Sequence, residues 1–296
     1  MNGWLIVNAY VRSEKFCELF EMLVQAGKSQ DCMLEVKTNE EIWRLLAVHN
    51  YQIKKQLETV DFIIFWDKDL TLAQVLEQQG IRLFNSAESI AVCDDKSQTQ
   101  IALLDKNIRM PKTVFNPKVF PSAGWPNKDY YLDMAQTLGY PCIVKECFGS
   151  FGQQVYLAYD DKELLEIIRK IWPGSFIMQE YIASSRGRDI RVQVVGKKIV
   201  ACMYRYNDND FRANVTNGGS MKPYQVNEAQ AKMALDVCRE LGLDFGGIDI
   251  MFGENDEPVF CEANSNAHFK NLYDCTGINV ADELIAYIRQ EMTHAF

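Results

Sequence analysis

Two carboxylates and one amide form the strongest chemical signal in the sequence. Asp249 lies in the apolar run 247–251, and Glu262 and Asn264 stand two residues apart in the next β-rich run. Because strand side chains alternate, Glu262 and Asn264 point to one face, and a hairpin loop over residues 253–257 can bring Asp249 beside them. Oxygen groups of this kind suit Mg²⁺ ions that also bind phosphate oxygens. Solvated or capping groups would give the same pattern, so both interpretations stay open.

A second signal is an apolar strand that ends in lysine and leads into a short glycine loop. Lys145 closes the run 142–145, and the loop Gly149-Ser150-Phe151-Gly152 follows. An ammonium group and backbone N–H groups in this arrangement can bind phosphate. The loop is not a Walker A motif, because no Gly-Lys-Ser/Thr follows it. An ordinary hairpin turn is the alternative interpretation.

The end of a third apolar run could bind a nucleoside. Backbone carbonyl and N–H groups at such a strand end can contact the edge of adenine, and an acidic group further on could bind ribose hydroxyls. The strand end comprises Met178, Gln179, Glu180, Tyr181 and Ile182, and the acidic group is Asp189. An ordinary amphipathic strand would read the same way.

Arginine side chains recur in the last third of the chain. Arg191 and Arg205 lie in β-rich runs, where exposed arginines are common. Arg212 and Asn214 precede the pair Gly218-Gly219, which indicates a shaped loop over an anion. The forked guanidinium of arginine suits phosphate or carboxylate.

The composition restricts the class of protein. The 296 residues suffice for two or three domains, and a net charge of −9 argues against nucleic-acid binding. Nine cysteines without a C-x-x-C pair indicate free thiols and a cytoplasmic protein. With only His49, His268 and His294, a histidine-built zinc site is not expected. No apolar run is long enough to span a membrane, so we expect no membrane association.

The positions of these residues follow from the predicted elements. In the first 88 residues, hydrophobic periodicity predicts strands over 4–11, 61–66 and 80–84 and helices over 14–26, 41–57 and 71–79. This alternation predicts a parallel α/β sheet. It lacks a glycine-rich turn after the first strand, and so lacks the dinucleotide fingerprint. Further helices are expected over 86–104, 130–138, 160–171, 227–241 and 280–292, and further strands over 142–145, 155–158, 176–181, 188–195, 198–206, 246–251 and 258–262.

Taken in order, these stretches resemble the ATP-grasp superfamily and, within it, the RimK-like glutamate ligases. The resemblance covers about residues 80–290, including Asp95-Lys96, Gly187 to Val192 and Thr276 to Ala281. It implies an α/β protein with α+β character in the ATP-binding lobes. The implied domains are an N-terminal parallel α/β domain over 1–88, a central ATP-grasp lobe over 89–178 and a C-terminal lobe with the metal site over 179–296.

The resemblance also implies a role for each position. Arg205 would stabilise an acyl-phosphate, while Arg212 and Asn214 would lie near the phosphates and the substrate. Asp249, Glu262 and Asn264 would hold two Mg²⁺ ions, with Mn²⁺ as an alternative. The predicted ATP contacts are Lys96, Lys145, Gly149, Gly152, Gln179, Glu180, Tyr181, Ile182, Asp189 and Arg191.

The implied reaction joins a carboxylate to an amine through an acyl-phosphate, with ADP and phosphate released. The expected substrates are an amino acid such as glutamate and a peptide, a protein C-terminus or a small metabolite. A dipeptide or precursor-peptide ligase, a phosphotransferase and a non-catalytic ATP-binding protein are the alternatives. Dimers or tetramers are common among similar proteins.

The chain departs from the family pattern on the acceptor side. Thr216-Asn217 and the run 266–269 stand where the family often has a basic residue or histidine and a proline. The acceptor therefore stays open, and His268 is either a substrate contact or a structural residue. The N-terminal lobe and the loop over 116–127 are expected to shape acceptor choice.

Overall fold

The structure is a computed structural model. It describes residues 1–294 except residues 12, 49, 121, 123, 125, 126 and 151. His49, Phe151 and part of the predicted loop over 116–127 therefore lie outside the described residues.

The first part of the chain folds into a four-stranded parallel sheet in the order β2-β1-β3-β4. Its central strand β3 is buried at every position, as expected where helices cover both faces of a parallel sheet. The strands are β1 (Asn2–Val7), β2 (Met33–Thr38), β3 (Phe62–Trp66) and β4 (Arg82–Phe84), and the helices are α1 (Glu14–Ser29), α2 (Asn39–Val48), α3 (Asn50–Leu57) and α4 (Leu70–Gln78).

Two predictions in this lobe are wrong. Strand β2 was not expected, because it lies at the edge of the sheet and most of its side chains are exposed or half-buried, including Glu35 and Lys37. Without a buried face it lacks the apolar alternation that identifies a strand. The single helix predicted over 41–57 is also two helices, α2 and α3.

The helix predicted over 86–104 is likewise two helices, α5 (Ala87–Asp94) and α6 (Lys96–Ala102). Asp95 ends the first helix and caps the second, with Oδ1 accepting hydrogen bonds from Ser97 N at 2.8 Å and Gln98 N at 3.4 Å. Aspartate is favoured at the N-cap of a helix because its side chain accepts hydrogen bonds from N–H groups that have no partner within the helix. The break places Lys96 on the first turn of α6.

The central part of the chain is a four-stranded antiparallel sheet in the order β5-β8-β6-β7. Helices α7 and α8 pack on it around a core that includes Tyr131, Val144, Ile168 and Phe176. The strands are β5 (Thr113–Phe115), β6 (Cys142–Glu146), β7 (Val155–Ala158) and β8 (Phe176–Glu180), and the helices are α7 (Lys128–Leu138) and α8 (Asp161–Ile171).

The last part is a five-stranded antiparallel sheet in the order β11-β10-β9-β12-β13. Helix α10 was not expected from the sequence. The strands are β9 (Arg188–Val195), β10 (Lys198–Tyr206), β11 (Ser220–Pro223), β12 (Phe245–Phe252) and β13 (Pro258–Asn264), and the helices are α9 (Glu228–Glu240), α10 (Lys270–Thr276) and α11 (Val280–His294).

The N-terminal and C-terminal sheets share one hydrophobic core. Trp66 at the end of β3 stacks on Phe245 at the start of β12, with ring centroids 5.4 Å apart, and α11 contributes Leu284 and Ile288 to the same cluster. The three predicted domains follow the three sheets in outline, and their boundaries stay a prediction; strand β8 runs across the boundary placed between residues 178 and 179. Across the described residues, the helices are all too short or too polar to cross a membrane.

Candidate functional site

Two adjoining cavities lie on the C-terminal sheet. The smaller, of about 110 Å³, lies between the central and C-terminal sheets. The larger, of about 600 Å³, lies between the C-terminal sheet and the N-terminal lobe. Their shared wall consists of Gly149, Ser150, Arg205, Asn214 and Glu262.

The hairpin of β12 and β13 brings the three predicted metal ligands together. Asp249 pairs directly with Glu262 across the two strands, and Asn264 lies two residues further along β13. Directly opposed residues of an antiparallel pair carry their side chains on the same face. Asp249 lines the smaller cavity, Asn264 the larger one and Glu262 both.

A largely buried network of charges surrounds Asp249 on this hairpin. Arg205 donates two hydrogen bonds to Asp189, at 2.7 and 2.8 Å, and lies 3.0 Å from Asp249. Arg191 also holds Asp249 in a forked contact, with Nη2 at 2.7 Å from Oδ2. Burial would raise the pKa of Asp249, but Arg191 and Arg205 outweigh it and hold that pKa below its ordinary value. The network therefore keeps an ionised carboxylate in a buried position.

The donor set fits a hard divalent cation. Two carboxylates and one amide oxygen are the ligands that Mg²⁺ takes, usually together with water and phosphate oxygens. Glu262 keeps part of its side chain exposed, whereas Asp249 is 3% exposed and held by two arginines. Of the residues described, no three His, Cys, Asp or Glu side chains cluster closely enough to hold a metal alone. The amide of Asn264 is therefore needed for a three-residue set.

Two lysines reach the smaller cavity from different elements. Lys96, on the first turn of α6, donates to the carbonyl of Gly149 at 3.2 Å and lies 3.5 Å from Glu262. Lys145 on β6 has its Nζ 4.0 Å from Cys261 Sγ. Burial raises the pKa of Cys261 to about 11, so its thiol is neutral and forms a long hydrogen bond rather than an ion pair with the lysine. Both ammonium groups are placed where they could contact an anionic ligand.

The glycine loop and the arginine loop meet over the cavities. Gly152 has φ +70°, and a Cβ added there would lie 2.8 Å from Asn214 Oδ1. Arg212 donates to the carbonyl of Gly152 at 2.7 Å and forms an ion pair with Asp210. Gly149 has φ +137°, a conformation that glycine adopts most easily. Glycine is thus required for both the backbone conformation and the close approach.

The predicted adenine-binding segment lines the smaller cavity from Gln179 to Ile182, whereas Met178 packs in the core of the central sheet. Strand β8 pairs with β6 as far as Glu180. Tyr181 and Ile182 follow the end of this pairing and also line the cavity. The side chains of Gln179 and Glu180 are bound by β5 and the residue before it, through Thr113 Oγ1 at 2.8 Å and Lys112 N at 2.9 Å.

Two predicted ATP contacts are placed differently from the others. Asp189 lines the smaller cavity, but both its oxygens accept hydrogen bonds from Arg205. Arg191 lines the larger cavity and not the smaller one. Their assignment to ATP stays a prediction, as do the roles of the other site residues.

The larger cavity has a second wall that the sequence reasoning did not identify. Asn8 follows β1 and Asp67 follows β3, and Asn8 Nδ2 donates to Asp67 Oδ1 at 3.0 Å. Lys15 and Phe16 of α1 also line this cavity. The sequence did carry a signal for these residues, since a polar residue directly follows each of the buried strands β1 and β3. Ligand sites of parallel sheets lie at the carboxyl ends of the strands, where such residues stand.

His268 connects α1 to the C-terminal sheet. Its Nε2 lies 3.0 Å from the carbonyl oxygen of Lys15, and its ring packs edge-on against Phe16 with centroids 4.9 Å apart. Burial lowers the pKa of His268, which favours the neutral ring. The histidine also lines the larger cavity, so its packing role does not prevent contact with a substrate.

Comparisons with known proteins agree with this geometry. Residues 93–288 match the model of the RimK-like ATP-grasp domain. The MG012 homolog of Mycoplasma pneumoniae is 29% identical over 94% of this chain and 98% of its own length. A probable alpha-L-glutamate ligase 1 of Shewanella frigidimarina is 32% identical over 73% of this chain and 70% of its own. Human N-acetylaspartylglutamate synthase A is 33% identical over 75% of this chain. The match covers 56% of that protein, so this chain spans about half of its length.

Solved structures share the architecture. The D-alanine–D-alanine ligase of Bacillus anthracis, complexed with ATP, has a TM-score of 0.75 at 18% identity and covers 100% of this chain and 98% of its own. The ATP-grasp ligase PsnB, complexed with a minimal precursor, Mg and ADP, has a TM-score of 0.70 at 13% identity. The match covers 97% of this chain and 96% of the PsnB chain. The family, the fold and the ligase class expected from the sequence are thereby confirmed. The chain belongs to the RimK-like ATP-grasp family.

Proposed function

We propose that this protein uses ATP and Mg²⁺ to join a carboxylate to the amino group of an amino acid such as glutamate. ATP would occupy the smaller cavity, with its phosphates toward Lys96 and Lys145. The two other substrates would occupy the larger cavity. The observation that carries the proposal is that both cavities meet at Glu262 and Arg205. A phosphate at this junction is within reach of substrates on either side.

The proposed reaction has two steps. A carboxylate oxygen of one substrate attacks the γ-phosphorus of ATP, the bond to the β-phosphate oxygen breaks, and ADP leaves. The amine nitrogen of the second substrate then attacks the carbonyl carbon of the acyl-phosphate. Phosphate departs with its bridging oxygen, the nitrogen loses a proton, and an amide remains. No covalent bond to the protein is required.

The residues of the chain contribute positioning and charge. Lys96, Lys145 and Arg205 bring fixed positive charge to the junction, which matters because phosphoryl transfer depends mainly on positioning and charge neutralisation. Asp249, Glu262 and Asn264 would hold two Mg²⁺ ions, or Mn²⁺ in their place. Bound magnesium would neutralise the phosphate oxygens. Arg212 and Asn214 would hold the glycine loop over the phosphates, which the bond from Arg212 to Gly152 supports.

The substrate class is inferred from relatives and from the site. Several relatives are named for glutamate ligation or for glutamate-containing products, which supports an amino acid as the amine. A peptide, a protein C-terminus or a small metabolite would supply the carboxylate. We further propose a cytoplasmic location, supported by nine cysteines that are all free thiols.

The test is phosphate release from ATP and Mg²⁺ with pools of amino acids and peptides, followed by mass spectrometry of the products. We expect a product heavier than one input by one amino-acid residue. Glu262→Gln should reduce turnover at least 100-fold, because it removes a charge from the junction without changing its shape. Glu254→Gln in the exposed β12–β13 loop is the matched control and should leave turnover unchanged.

Two outcomes would contradict this function, and a third would contradict the metal site. ATP consumption that yields a phosphorylated substrate but no amide would indicate a phosphotransferase. No stimulation by any pool, combined with tight ATP binding, would favour a non-catalytic protein. Full activity of Glu262→Gln would remove this residue from the proposed metal site.

A further inference from the structure

The wall of the larger cavity formed by Asn8, Asp67 and Asn266 contains an unusual carboxylate. Asp67 is 6% exposed, and its Oδ1 accepts hydrogen bonds from Asn8 Nδ2 at 3.0 Å and from Lys68 N at 2.7 Å. Asn266 donates from Nδ2 to the backbone carbonyl of Asp67 at 2.8 Å. Asp67 is thus fixed in position by both the N-terminal lobe and the segment after β13.

Two acceptor atoms of this wall lack partners. Asp67 Oδ2 and Asn266 Oδ1 are both buried and without a hydrogen-bond partner in the part of the chain that the structure describes. Buried polar atoms are nearly always hydrogen-bonded, so such a pair requires an explanation. Burial raises the pKa of Asp67, although Asn8, Lys68 N and, more weakly, Asn39 favour its ionised form.

Two of the cations that line this cavity are already engaged elsewhere. Lys68, next to Asp67 in the chain, forms an ion pair with Asp94, and Arg191 on the same cavity is held by Asp249. The protein therefore places a buried carboxylate beside a substrate cavity without directing either cation to it. A positively charged donor from a ligand would match both free acceptors.

Two donor atoms without partners belong to residues that line the same cavity. These are Trp66 Nε1 and Asn264 Nδ2, which are likewise buried and unpartnered in the described residues. Acceptors and donors in one cavity complement a molecule that carries both an ammonium and a carboxylate group. Asn266 follows Glu262 by four residues, which is at most about 14 Å of chain, and both residues line the larger cavity, so this wall and the proposed reaction centre belong to the same cavity.

We propose that Asp67 and Asn266 form a subsite for the ammonium group of an amino-acid substrate in the larger cavity. The assignment rests on the proposed function and names the residues by which the N-terminal lobe takes part in it. The subsite distinguishes an amino acid from the corresponding acid that lacks the amino group. Asn8 and Lys68 N hold the other oxygen of Asp67 and so orient the carboxylate.

The test is calorimetric titration with L-glutamate and with glutarate, which has both carboxylates but no amino group. ADP and Mg²⁺ are present throughout. For the wild-type protein we expect L-glutamate to bind at least tenfold more tightly than glutarate. Asp67→Asn should weaken L-glutamate about tenfold or more, as expected for the loss of a charge-assisted hydrogen bond, and leave glutarate and ADP unaffected. Asn266→Ala should produce a smaller loss in the same direction.

The matched control is Asp61→Asn, at the opposite end of β3. Asp61 is exposed and accepts a hydrogen bond from Asn2 N at 2.7 Å, so its change removes the same charge from the same lobe away from the cavity. We expect it to leave both affinities unchanged. Asp67→Asn keeps an oxygen for Asn8 and Lys68 N, and an unchanged melting temperature would confirm that it folds.

Several outcomes would overturn the subsite. Equal loss of L-glutamate and glutarate on Asp67→Asn would assign Asp67 a structural role, and no loss would remove it from the site. If another amino acid stimulates phosphate release, the titration uses that amino acid and its counterpart without the amino group. No preference for the amino acid over that counterpart would also overturn the subsite. Product formation by the wild-type protein in that case would leave the proposed ligase function intact.

Discussion

At the residue scale, Arg205 is the side chain on which most of the site depends. It is 4% exposed, forks onto Asp189 and contacts Asp249. Burial opposes its charge, but the two carboxylates raise the pKa of Arg205 above its usual range, so it stays charged. Arg205 is therefore a fixed cation between two carboxylates at the junction of the two cavities. The same side chain stabilises the fold of this lobe and belongs to the candidate site.

We expect Arg205→Ala to lower the free energy of unfolding by about 3–5 kcal/mol, because it leaves buried carboxylates without their partner. Urea unfolding measures this loss. Arg44→Ala is the control, since Arg44 pairs with Glu40 on the exposed surface of α2, and exposed pairs contribute about 0–1 kcal/mol. An equal effect of both changes would mean that the buried network does not stabilise the fold as argued.

At the scale of elements, the break between α5 and α6 positions a lysine. A continuous helix would carry Lys96 past the glycine loop in a different direction, whereas the break at Asp95 starts a new helix there. Lys96 N is held by the carbonyl of Cys147 at 3.0 Å, and its ammonium reaches Gly149 and Glu262. The cap on α6 therefore orients a residue that we assign to ATP.

We expect Asp95→Ala to lower the free energy of unfolding by about 1 kcal/mol and to weaken ATP binding severalfold, because the first turn of α6 loses its cap. Asp160→Ala is the matched control: it removes the cap of α8, where Asp160 Oδ1 accepts from Glu163 N at 2.9 Å, away from both cavities. Asp160→Ala should lower the free energy of unfolding by a similar amount and leave the affinity for ATP unchanged. ATP titration and urea unfolding of both variants decide the matter, and an equal loss of affinity in the control would contradict the argument.

At the scale of the whole molecule, Asn85 joins the N-terminal lobe to the C-terminal sheet. Its fully buried side chain donates to the carbonyls of Phe245 at 2.9 Å and Ser265 at 3.0 Å, and it accepts from Asp244 N at 2.7 Å and Phe245 N at 3.2 Å. One amide thus satisfies four backbone groups next to the larger cavity, whose walls come from both lobes.

We expect Asn85→Ala to lower the free energy of unfolding by about 2–4 kcal/mol, since buried backbone groups lose their partners. It should also raise KM for the amino acid more than KM for ATP, because among the described residues the N-terminal lobe lines the larger cavity and not the smaller one. Asn227→Ala is the control, because it removes the exposed cap of α9, where Asn227 Oδ1 accepts from Gln230 N at 2.9 Å, away from both cavities; it should cost about 1 kcal/mol and leave the KM values unchanged. Steady-state kinetics and urea unfolding test both; unchanged kinetics in Asn85→Ala would argue against a rigid cavity.

The sequence predicted the parts of this protein that depend on local pattern. Buried strands such as β3, β9 and β12 carry their apolar character in the chain itself, and the spacing of Glu262 and Asn264 places both on one face of a strand. Edge strand β2 and the break at Asp95 were missed, because one has no buried face and the other depends on a single cap within a helical pattern.

The sequence by itself determined the fold class, the family and the hairpin that brings Asp249 beside Glu262, since these follow from side-chain periodicity and short loops. Only the tertiary structure decided that Arg191 and Arg205 hold Asp249, and that Asn8 and Asp67 meet Asn266 in one wall of the larger cavity. The physical reason is distance along the chain: 199 residues separate Asp67 from Asn266. Contacts over such separations are set by how the sheets pack, and local pattern carries no information about that packing.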